Sequence, residues 1–364
     1  MAVNQEEILK QSKKNTAEKR PSKTFTEDLP PETLAEIFSW IQLNFDDVVN
    51  FAGVNSHWRA VTFCAVGRVI IDRDANSSKV RYCRERFRSL TSLCVHISDL
   101  SEQEEKLAIY REIERLLRCS VGKDLEELYL VSKRQCAASS EFFTERIAKE
   151  VLVALPKLRI LQLPLMNALD YYKVFCILYA SSHLKHLVLP NFFDVERENY
   201  LHIKKAIRAL GEMSNLRSLV YANERNSMFC MNWRPLKLMI KNLKNLERFC
   251  FHGPVLYDSE CLNVVADCCP SLIQMHISGQ HVFNITGLIR FIQKCKMLEH
   301  IIFLPSSKSS FVFRKGYMRM IYNANTALKR LTIIHYNVDK YIYDDIIKEA
   351  FDASSGYMKL SLIG

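Results

Sequence analysis

A repeated hydrophobic frame constrains this chain more than any other feature of its sequence. The frame reads Leu-x-x-Leu-x-Leu, and successive copies begin 26 to 35 residues apart. In ten copies every frame position is apolar, and the two residues after the first position are polar or charged in 17 of 20 places. The copies begin at Leu90, Leu125, Leu158, Leu184, Leu216, Leu246, Leu272, Leu298, Leu328 and Tyr357. A chain with such a period folds as a stack of similar units.

Each unit is predicted to contain one strand and one helix. The last two apolar positions of the frame alternate with other residues, which is typical of a short strand with one buried face. Between frames the apolar residues recur at helical spacing, as at Leu107, Tyr110, Ile113 and Leu117. One such unit cannot bury its own apolar face, so neighbouring units are expected to stack into a curved α/β solenoid with the strands on the inner surface.

The frame and its period resemble those of leucine-rich repeat proteins, and this resemblance implies a horseshoe-shaped solenoid. Two units also resemble the cysteine-containing subtype, because Cys269 and Cys295 each lie three residues before the first leucine of a frame. A cysteine thiol behaves as a small hydrophobic group, which fits where a helix end meets the next strand.

Composition excludes several classes of protein. Hydrophobic residues make up 48% of the 364 residues and charged residues 25%, which indicates a folded chain. No apolar run reaches the length of about 20 residues that a membrane helix needs, and the first residues lack a secretory signal. We therefore expect a cytoplasmic or nuclear protein without membrane contact. The 12 cysteines include no Cys-x-x-Cys pair, so the sequence predicts reduced thiols, no metal site and no cofactor.

The chain divides into three predicted parts. Residues 1–24 are polar and basic and are expected to be a disordered tail. Residues 25–66 are expected to form a small helical module, and residues 67–364 the solenoid of about ten units. The module is predicted to have three helices: the first has Pro30 and Pro31 in its first turn, the second starts at Asp46 and Asp47, and the third is capped by Ser56. Because a core of about forty residues is marginal, its apolar surface must be completed by another chain or by the first repeat.

The module also carries a recognisable order of residues. The sequence Leu29-Pro30-x-Glu32-x-Leu34-x-x-Ile37-Phe38-x-x-Ile41, followed by Val54-x-x-x-Trp58-Arg59, resembles the F-box. The loop after Ile41 is longer than in the common F-box pattern, which leaves the start of the second helix open. An F-box followed by leucine-rich repeats is the layout of the F-box and leucine-rich repeat family, and the resemblance covers most of the chain.

That resemblance implies a non-catalytic substrate receptor. The F-box of this family binds the Skp-type adaptor of SCF ubiquitin ligases and, through the adaptor, a cullin, while the repeats hold a protein substrate for ubiquitination. The matched residues implied to form or support the adaptor surface are Leu29, Pro30, Leu34, Ile37, Phe38, Ile41, Val54 and Trp58.

The inner face of the solenoid is the candidate substrate surface. Residues two and four places after the start of each frame are expected to point away from the core, because side chains alternate along a strand. The whole net charge of +10 lies in residues 201–364, where 22 Lys and Arg accompany 12 Asp and Glu. An acidic or phosphorylated segment would suit this surface, although a solvated face with scattered charges explains the pattern as well. The candidate residues are Arg248, Gln274, His276, His300 and Arg330.

Two other functions remain open, while catalysis has little support. The chain has no P-loop, nucleophile-elbow or zinc-protease motif, and Cys250 with His252 lacks a third, orienting group, so no catalytic residue is predicted. A leucine-rich repeat scaffold whose head only caps the solenoid would act without a ligase. A nucleic-acid-binding repeat protein is disfavoured, because among the inner positions only Tyr129 is aromatic.

Overall fold

The computed structural model describes residues 29–41, 43–72, 75–97, 103–132, 155–190, 200–222, 231–232, 234–281, 284–305, 316–325, 327–334 and 359–363. The predicted tail, residues 1–24, lies outside this part of the chain. Among the described residues no helix is both long and apolar enough to cross a membrane.

The described strands form one parallel sheet in which strand order follows chain order. Each strand pairs with the next strand along the chain, except that β8 is a short side strand and β7 pairs directly with β9. The strands are β1 (Leu43–Asn44), β2 (Arg68–Ile71), β3 (Ser92–His96), β4 (Glu127–Val131), β5 (Ile160–Gln162), β6 (His186–Pro190), β7 (Ser218–Ala222), β8 (Met231–Asn232), β9 (Arg248–Tyr257), β10 (Gln274–His281), β11 (His300–Pro305), β12 (Arg330–Ile334) and β13 (Lys359–Ile363). This arrangement is the predicted α/β solenoid.

Helices connect most successive strands, and each helix packs against neighbouring helices along the chain. They are α1 (Pro31–Trp40), α2 (Phe45–Val54), α3 (Ser56–Ala65), α4 (Ser77–Arg86), α5 (Gln103–Arg118), α6 (Ser120–Lys123), α7 (Ala168–Leu178), α8 (Tyr200–Gly211), α9 (Arg234–Ile240), α10 (Ser259–Cys268), α11 (Ile285–Lys294) and α12 (Tyr317–Ala324). The helical spacing predicted for Leu107, Tyr110, Ile113 and Leu117 is confirmed, because all four residues lie in α5 at intervals of three or four.

The frame residues build the core. The first, fourth and sixth residues of the frame are buried wherever the structure describes their side chains, from Leu90 in β3's unit to Leu331 in β12. These residues belong to one continuous hydrophobic cluster that also contains Leu34 of the helical module. The intervening strand residues are mostly half-buried or exposed, as the period of two requires.

A shared backbone contact joins each unit to the next. The carbonyl oxygen of the second frame residue accepts two N–H donors from the following unit, at distances of 2.7 to 3.1 Å. At Thr91, for example, the donors are the amides of Glu126 and Glu127. The contact recurs at nine carbonyls, those of Gly67, Thr91, Glu126, Arg159, Lys185, Arg217, Glu247, Ile273 and Glu299. It therefore fixes the register between units without depending on the side chain at that position.

The residues three places before each frame form a second contact between units, the junction row. All nine described members are buried: Phe87, Gly122, Leu155, Ser181, Met213, Leu243, Cys269, Cys295 and Asn325. Two of them donate to the row member of the preceding unit, since Cys269 Sγ lies 3.6 Å from Leu243 O and Asn325 Nδ2 lies 2.9 Å from Cys295 O. Cys269 is thus a hydrogen-bond donor as well as the small hydrophobic group that its sequence position predicts.

One repeat was not predicted from the sequence. Residues 66–71 follow the frame with Val66, Val69 and Ile71, all of them buried, and they form β2. Valine and isoleucine stand where the other frames have mostly leucine, so the leucine pattern does not reveal this unit. The solenoid frame accordingly begins at Val66, directly after the third helix.

The three helices of the head, residues 29–65, form where the sequence predicts them. One cap differs from the sequence prediction: Asn55, and not Ser56, caps α3. Asn55 Oδ1 accepts a hydrogen bond from the amide of Trp58 at 2.8 Å. An aromatic cluster of Phe38, Phe51 and Trp58 holds the helices together, with ring centroids 5.5 to 5.9 Å apart.

The head is joined to the solenoid through strand pairing and ring contacts. The long loop after Ile41 contains β1, and Leu43 of this strand pairs with Val69 of β2. Phe45 of α2 and Phe63 of α3 both contact Tyr82 of α4, at 5.5 and 5.9 Å between ring centroids. The first repeat therefore covers part of the apolar surface of the head, as its small size predicts, while other apolar residues of the head stay exposed.

Two glycines with opposite surroundings test the packing of the junction row. A Cβ on Gly122 would lie under 3.0 Å from backbone atoms of Leu116 and Leu117, whereas a Cβ on Gly53 in α2 would meet nothing within 4 Å. Gly122→Ala should lower the free energy of unfolding by about 1–3 kcal/mol, because the backbone of α5 must move. Gly53→Ala should raise it by up to about 1 kcal/mol, because alanine favours the helix. Urea midpoints measured by circular dichroism check both, and equal midpoints would contradict the packing described.

A pair of asparagines tests the hydrogen bonds between units. Asn325 is buried and bonds both Cys295 O and the amide of Ala327, at 2.9 Å each, so Asn325→Ala should cost about 1–3 kcal/mol of stability. Asn245 makes a similar bond to Ser214 O at 3.0 Å on the exposed surface, and Asn245→Ala serves as the matched control. The control should change the urea midpoint much less than the buried variant, since water replaces its lost bond.

Candidate protein-binding surfaces

The head exposes several large apolar side chains that its own core does not use. Of the nine exposed large hydrophobic residues in the described part of the chain, four lie on α1, its end and α2. We call Ile37, Ile41, Val49 and Val54 the head patch, and 37 to 50% of the surface of each remains exposed. Ile37 lies within α1, and Ile41 directly follows its last residue in an extended conformation.

The eight residues that the F-box resemblance selects fall into two groups. Leu34, Phe38 and Trp58 are buried in the head core and can only support a surface. Pro30, Ile37, Ile41 and Val54 are exposed. Leu29 is half-buried against the core, and its carbonyl oxygen lies 3.3 Å from His57 Nε2. Val49 of α2 is also exposed but was not identified as a site residue from the sequence, because it belongs to no matched motif position.

The strand register brings four of the predicted substrate residues into one row. Arg248 pairs with Gln274, Gln274 with His300, and His300 with Arg330, on the adjacent strands β9 to β12. We call this set of four the basic row. His276 lies two residues further along β10, between Cys250 and Ile302. The sequence prediction that these five residues share the inner face therefore agrees with the register.

The neighbouring acids are already engaged by other cations. Glu247 and Glu299 lie just before the basic row, where Arg217 Nη1 lies 3.2 Å from Glu247 Oε1 and Lys329 Nζ lies 2.7 Å from Glu299 Oε1. Arg248 and Arg330 are exposed and have no ion pair among the described residues. His300 Nε2 lies 3.9 Å from Glu299 Oε2, a distance that allows only a weak contact. Among the described residues, therefore, no carboxylate pairs with the guanidinium groups at the two ends of the row, and both arginines are exposed.

Two pKa shifts describe the electrostatics of this face. Burial lowers the pKa of His186, and the nearby charge of Arg248 lowers it further, whereas the charge of Glu247 acts in the opposite direction. Burial also raises the pKa of the Cys250 thiol, which keeps this group protonated at neutral pH. A protonated thiol is a poor nucleophile. Among the described residues no three His, Cys, Asp or Glu side chains are grouped to hold a metal ion.

The influence of Arg248 on His186 can be measured directly. Arg248→Gln removes a positive charge that disfavours the imidazolium, so the pKa of His186 should rise toward its usual value. An NMR titration of histidine-labelled protein, with the signal assigned through His186→Gln, gives the shift. Arg290→Gln, a change of equal charge on the exposed face of α11, should leave the pKa of His186 where it is. The same shift in both variants would contradict a local effect of Arg248.

Comparison with known proteins identifies the fold but no family. No family model matches the sequence. No curated protein matches it either. Among solved structures, a chain of the Rad7 and Elc1 complex in yeast is 14% identical, with a TM-score of 0.50, over 100% of this chain and 86% of that chain.

Two further structures are less similar. A chain of the TLR13–ssRNA13 complex has a TM-score of 0.34 and 14% identity, over 82% of this chain and 47% of that chain. The tropomodulin C-terminal domain of Caenorhabditis elegans has a TM-score of 0.27 and 11% identity, over 50% of this chain and 93% of that chain. From its parallel sheet, its repeating units and the likeness to the first of these structures, the chain is a leucine-rich repeat solenoid preceded by a three-helix head.

Proposed function

We propose that this chain is the substrate-recognition subunit of an SCF-type ubiquitin ligase. The head binds a Skp-type adaptor, which links the chain to a cullin, and the inner face of the repeats holds a protein substrate. Ubiquitin transfer is then carried out by other subunits, and this chain contributes no catalytic group.

The observation that carries the proposal is the head patch. The core of the head forms without it, because Leu34, Phe38 and Trp58 are buried in one hydrophobic cluster that continues into the first repeat. A cap that only protected the end of a solenoid would need a polar outer surface. Exposed isoleucine and valine on α1 and α2 instead favour a partner that buries them.

The order of residues in the head gives a second line of support. The exposed members of the F-box pattern, Pro30, Ile37, Ile41 and Val54, are available for contact, while the buried members hold the helices in place. The Rad7 and Elc1 structure, in which a chain has a similar fold, is a complex of two proteins. Elc1 is therefore a second candidate for the adaptor position, to be tested beside a Skp-type adaptor.

Co-expression with each adaptor tests the proposal. The full chain should co-elute with the adaptor in size-exclusion chromatography, and Ile37→Asp should weaken binding by about tenfold to a hundredfold, because a charge would be buried in an apolar contact. Ile37 is 40% exposed, so the variant should remain folded, which circular dichroism verifies.

Met297→Asp is the matched control for this experiment. Met297 is an exposed apolar residue of the solenoid, 58% exposed, and the same charge there should leave co-elution intact. If a folded chain co-elutes with neither adaptor, the receptor function is wrong and the chain is a repeat scaffold whose head serves as a cap.

A further inference from the structure

The basic row places two exposed arginines, neither of them in an ion pair with another described residue, at a fixed separation. Arg248 and Arg330 lie three strand steps apart, with Gln274 and His300 between them. Neighbouring strands are separated by about 4.8 Å, which places the backbones of the two arginines about 14 Å apart. An extended peptide advances about 3.3 Å per residue, so this separation corresponds to about four residues of a bound chain.

A spacing of four residues suits an extended segment for a second reason. Successive side chains of an extended chain point to opposite faces, so residues four apart point to the same face. Two acidic side chains at this spacing would both face the sheet and could each pair with one arginine. Gln274 and His300 would then lie beneath the residues between them, where they can donate hydrogen bonds to the bound backbone or to a further acidic side chain.

The residues around the basic row define the rest of the ligand. From β6 to β12, the strand positions aligned with the row contain no acidic side chain, and the acids one residue before it, Glu247 and Glu299, are paired with Arg217 and Lys329. The positions two residues further along the strands are uncharged apart from His276: Val188, Val220, Cys250, Ile302 and Thr332. A ligand that crosses these strands therefore meets cations on one side and half-buried, largely apolar groups on the other.

The arrangement favours separated carboxylates over one phosphate or a nucleic acid. A single phosphate is best held by several cations that converge on it, whereas Arg248 and Arg330 stand singly on strands that are not adjacent. Single-stranded nucleic acid is usually held by aromatic side chains that stack on the bases. The aromatic residue predicted at the inner face, Tyr129, lies on β4, away from the basic row.

We propose that β9 to β12 bind an extended acidic segment of a protein, which crosses the strands and pairs carboxylates about four residues apart with Arg248 and Arg330. The inferred geometry of binding rests on the residues of β9 to β12 and does not depend on any ligase partner. The assignment of the segment to a ubiquitination substrate rests on the proposed function.

Fluorescence anisotropy with synthetic peptides tests the inference on the full chain without any adaptor. The probe is a twelve-residue Ser/Gly peptide with four glutamates at alternate positions, and its control has the same four glutamates in one block. The alternating peptide should bind about threefold more tightly, because only its glutamates share one face and span both arginines. Equal affinity for the two peptides would overturn the spacing.

Charge reversals show whether the basic row holds the peptide. Arg248→Glu and Arg330→Glu should each weaken binding about tenfold, because each places like charges together. Arg290→Glu makes the same change in net charge on α11 and should have little effect. Equal weakening by all three variants would mean attraction by net charge alone and would overturn the proposal.

Two further probes distinguish the other ligands. If a Ser/Gly peptide with a single phosphoserine binds more tightly than the alternating glutamate peptide, the proposal that two separated carboxylates are recognised is wrong. If single-stranded polyuridine binds more tightly than that peptide, and its binding depends on Arg248, the proposal of a protein ligand is wrong. The adaptor experiment is independent, since Arg248→Glu should leave co-elution unchanged. If the chain binds the peptide but no adaptor, this inference is supported and the proposed ligase function is wrong.

Discussion

The backbone contact at the start of each strand determines most of this structure. One carbonyl oxygen accepts two amide donors from the next unit, and the arrangement recurs at nine places from Gly67 to Glu299. Because it uses only the main chain, it tolerates Glu, Arg, Lys, Ile or Thr at the accepting position. The strands consequently keep one register although the units differ in length, and residues from units about thirty positions apart are aligned across the inner face.

The parts of the fold that could be predicted are those whose cause lies within one unit. Leucines of the frame specify the buried face of each strand, so the alignment of Arg248, Gln274, His300 and Arg330 follows from sequence alone. The sequence did not predict features that depend on a contact with a neighbouring unit, or a unit whose frame positions are not leucine. The bond from Asn325 to Cys295 O joins positions 30 residues apart. In the unit of β2, Val66, Val69 and Ile71 stand at frame positions that are mostly leucine in other units, so the leucine pattern does not reveal this unit. For the head, the pattern identifies the helices but does not separate exposed Ile37 from buried Phe38, because that difference depends on how α3 packs.

The two candidate surfaces lie at different places along the sheet. The head adjoins β1 and β2, whereas the basic row begins at β9, and seven strand steps of about 4.8 Å separate β1 from β9, or about 34 Å along the sheet. Such a separation keeps the two candidate surfaces from overlapping, so one does not block the other. The positive potential that reaches His186 from Arg248 is local by comparison, since charges beyond about 10 Å are largely screened by physiological salt.

The pairing of β1 with β2 also has a consequence for synthesis of the chain. The ribosome releases residues 29–65 before Val69, Tyr82 and Phe87, on which Leu43, Phe45 and Phe63 pack. Domains generally fold as units while they emerge, so a nascent head would expose apolar surface until the first repeat has left the exit tunnel. Rare codons or a pause between the head and α4 would lengthen that interval, and translation speed at this one boundary would then affect how much of the newly made chain aggregates.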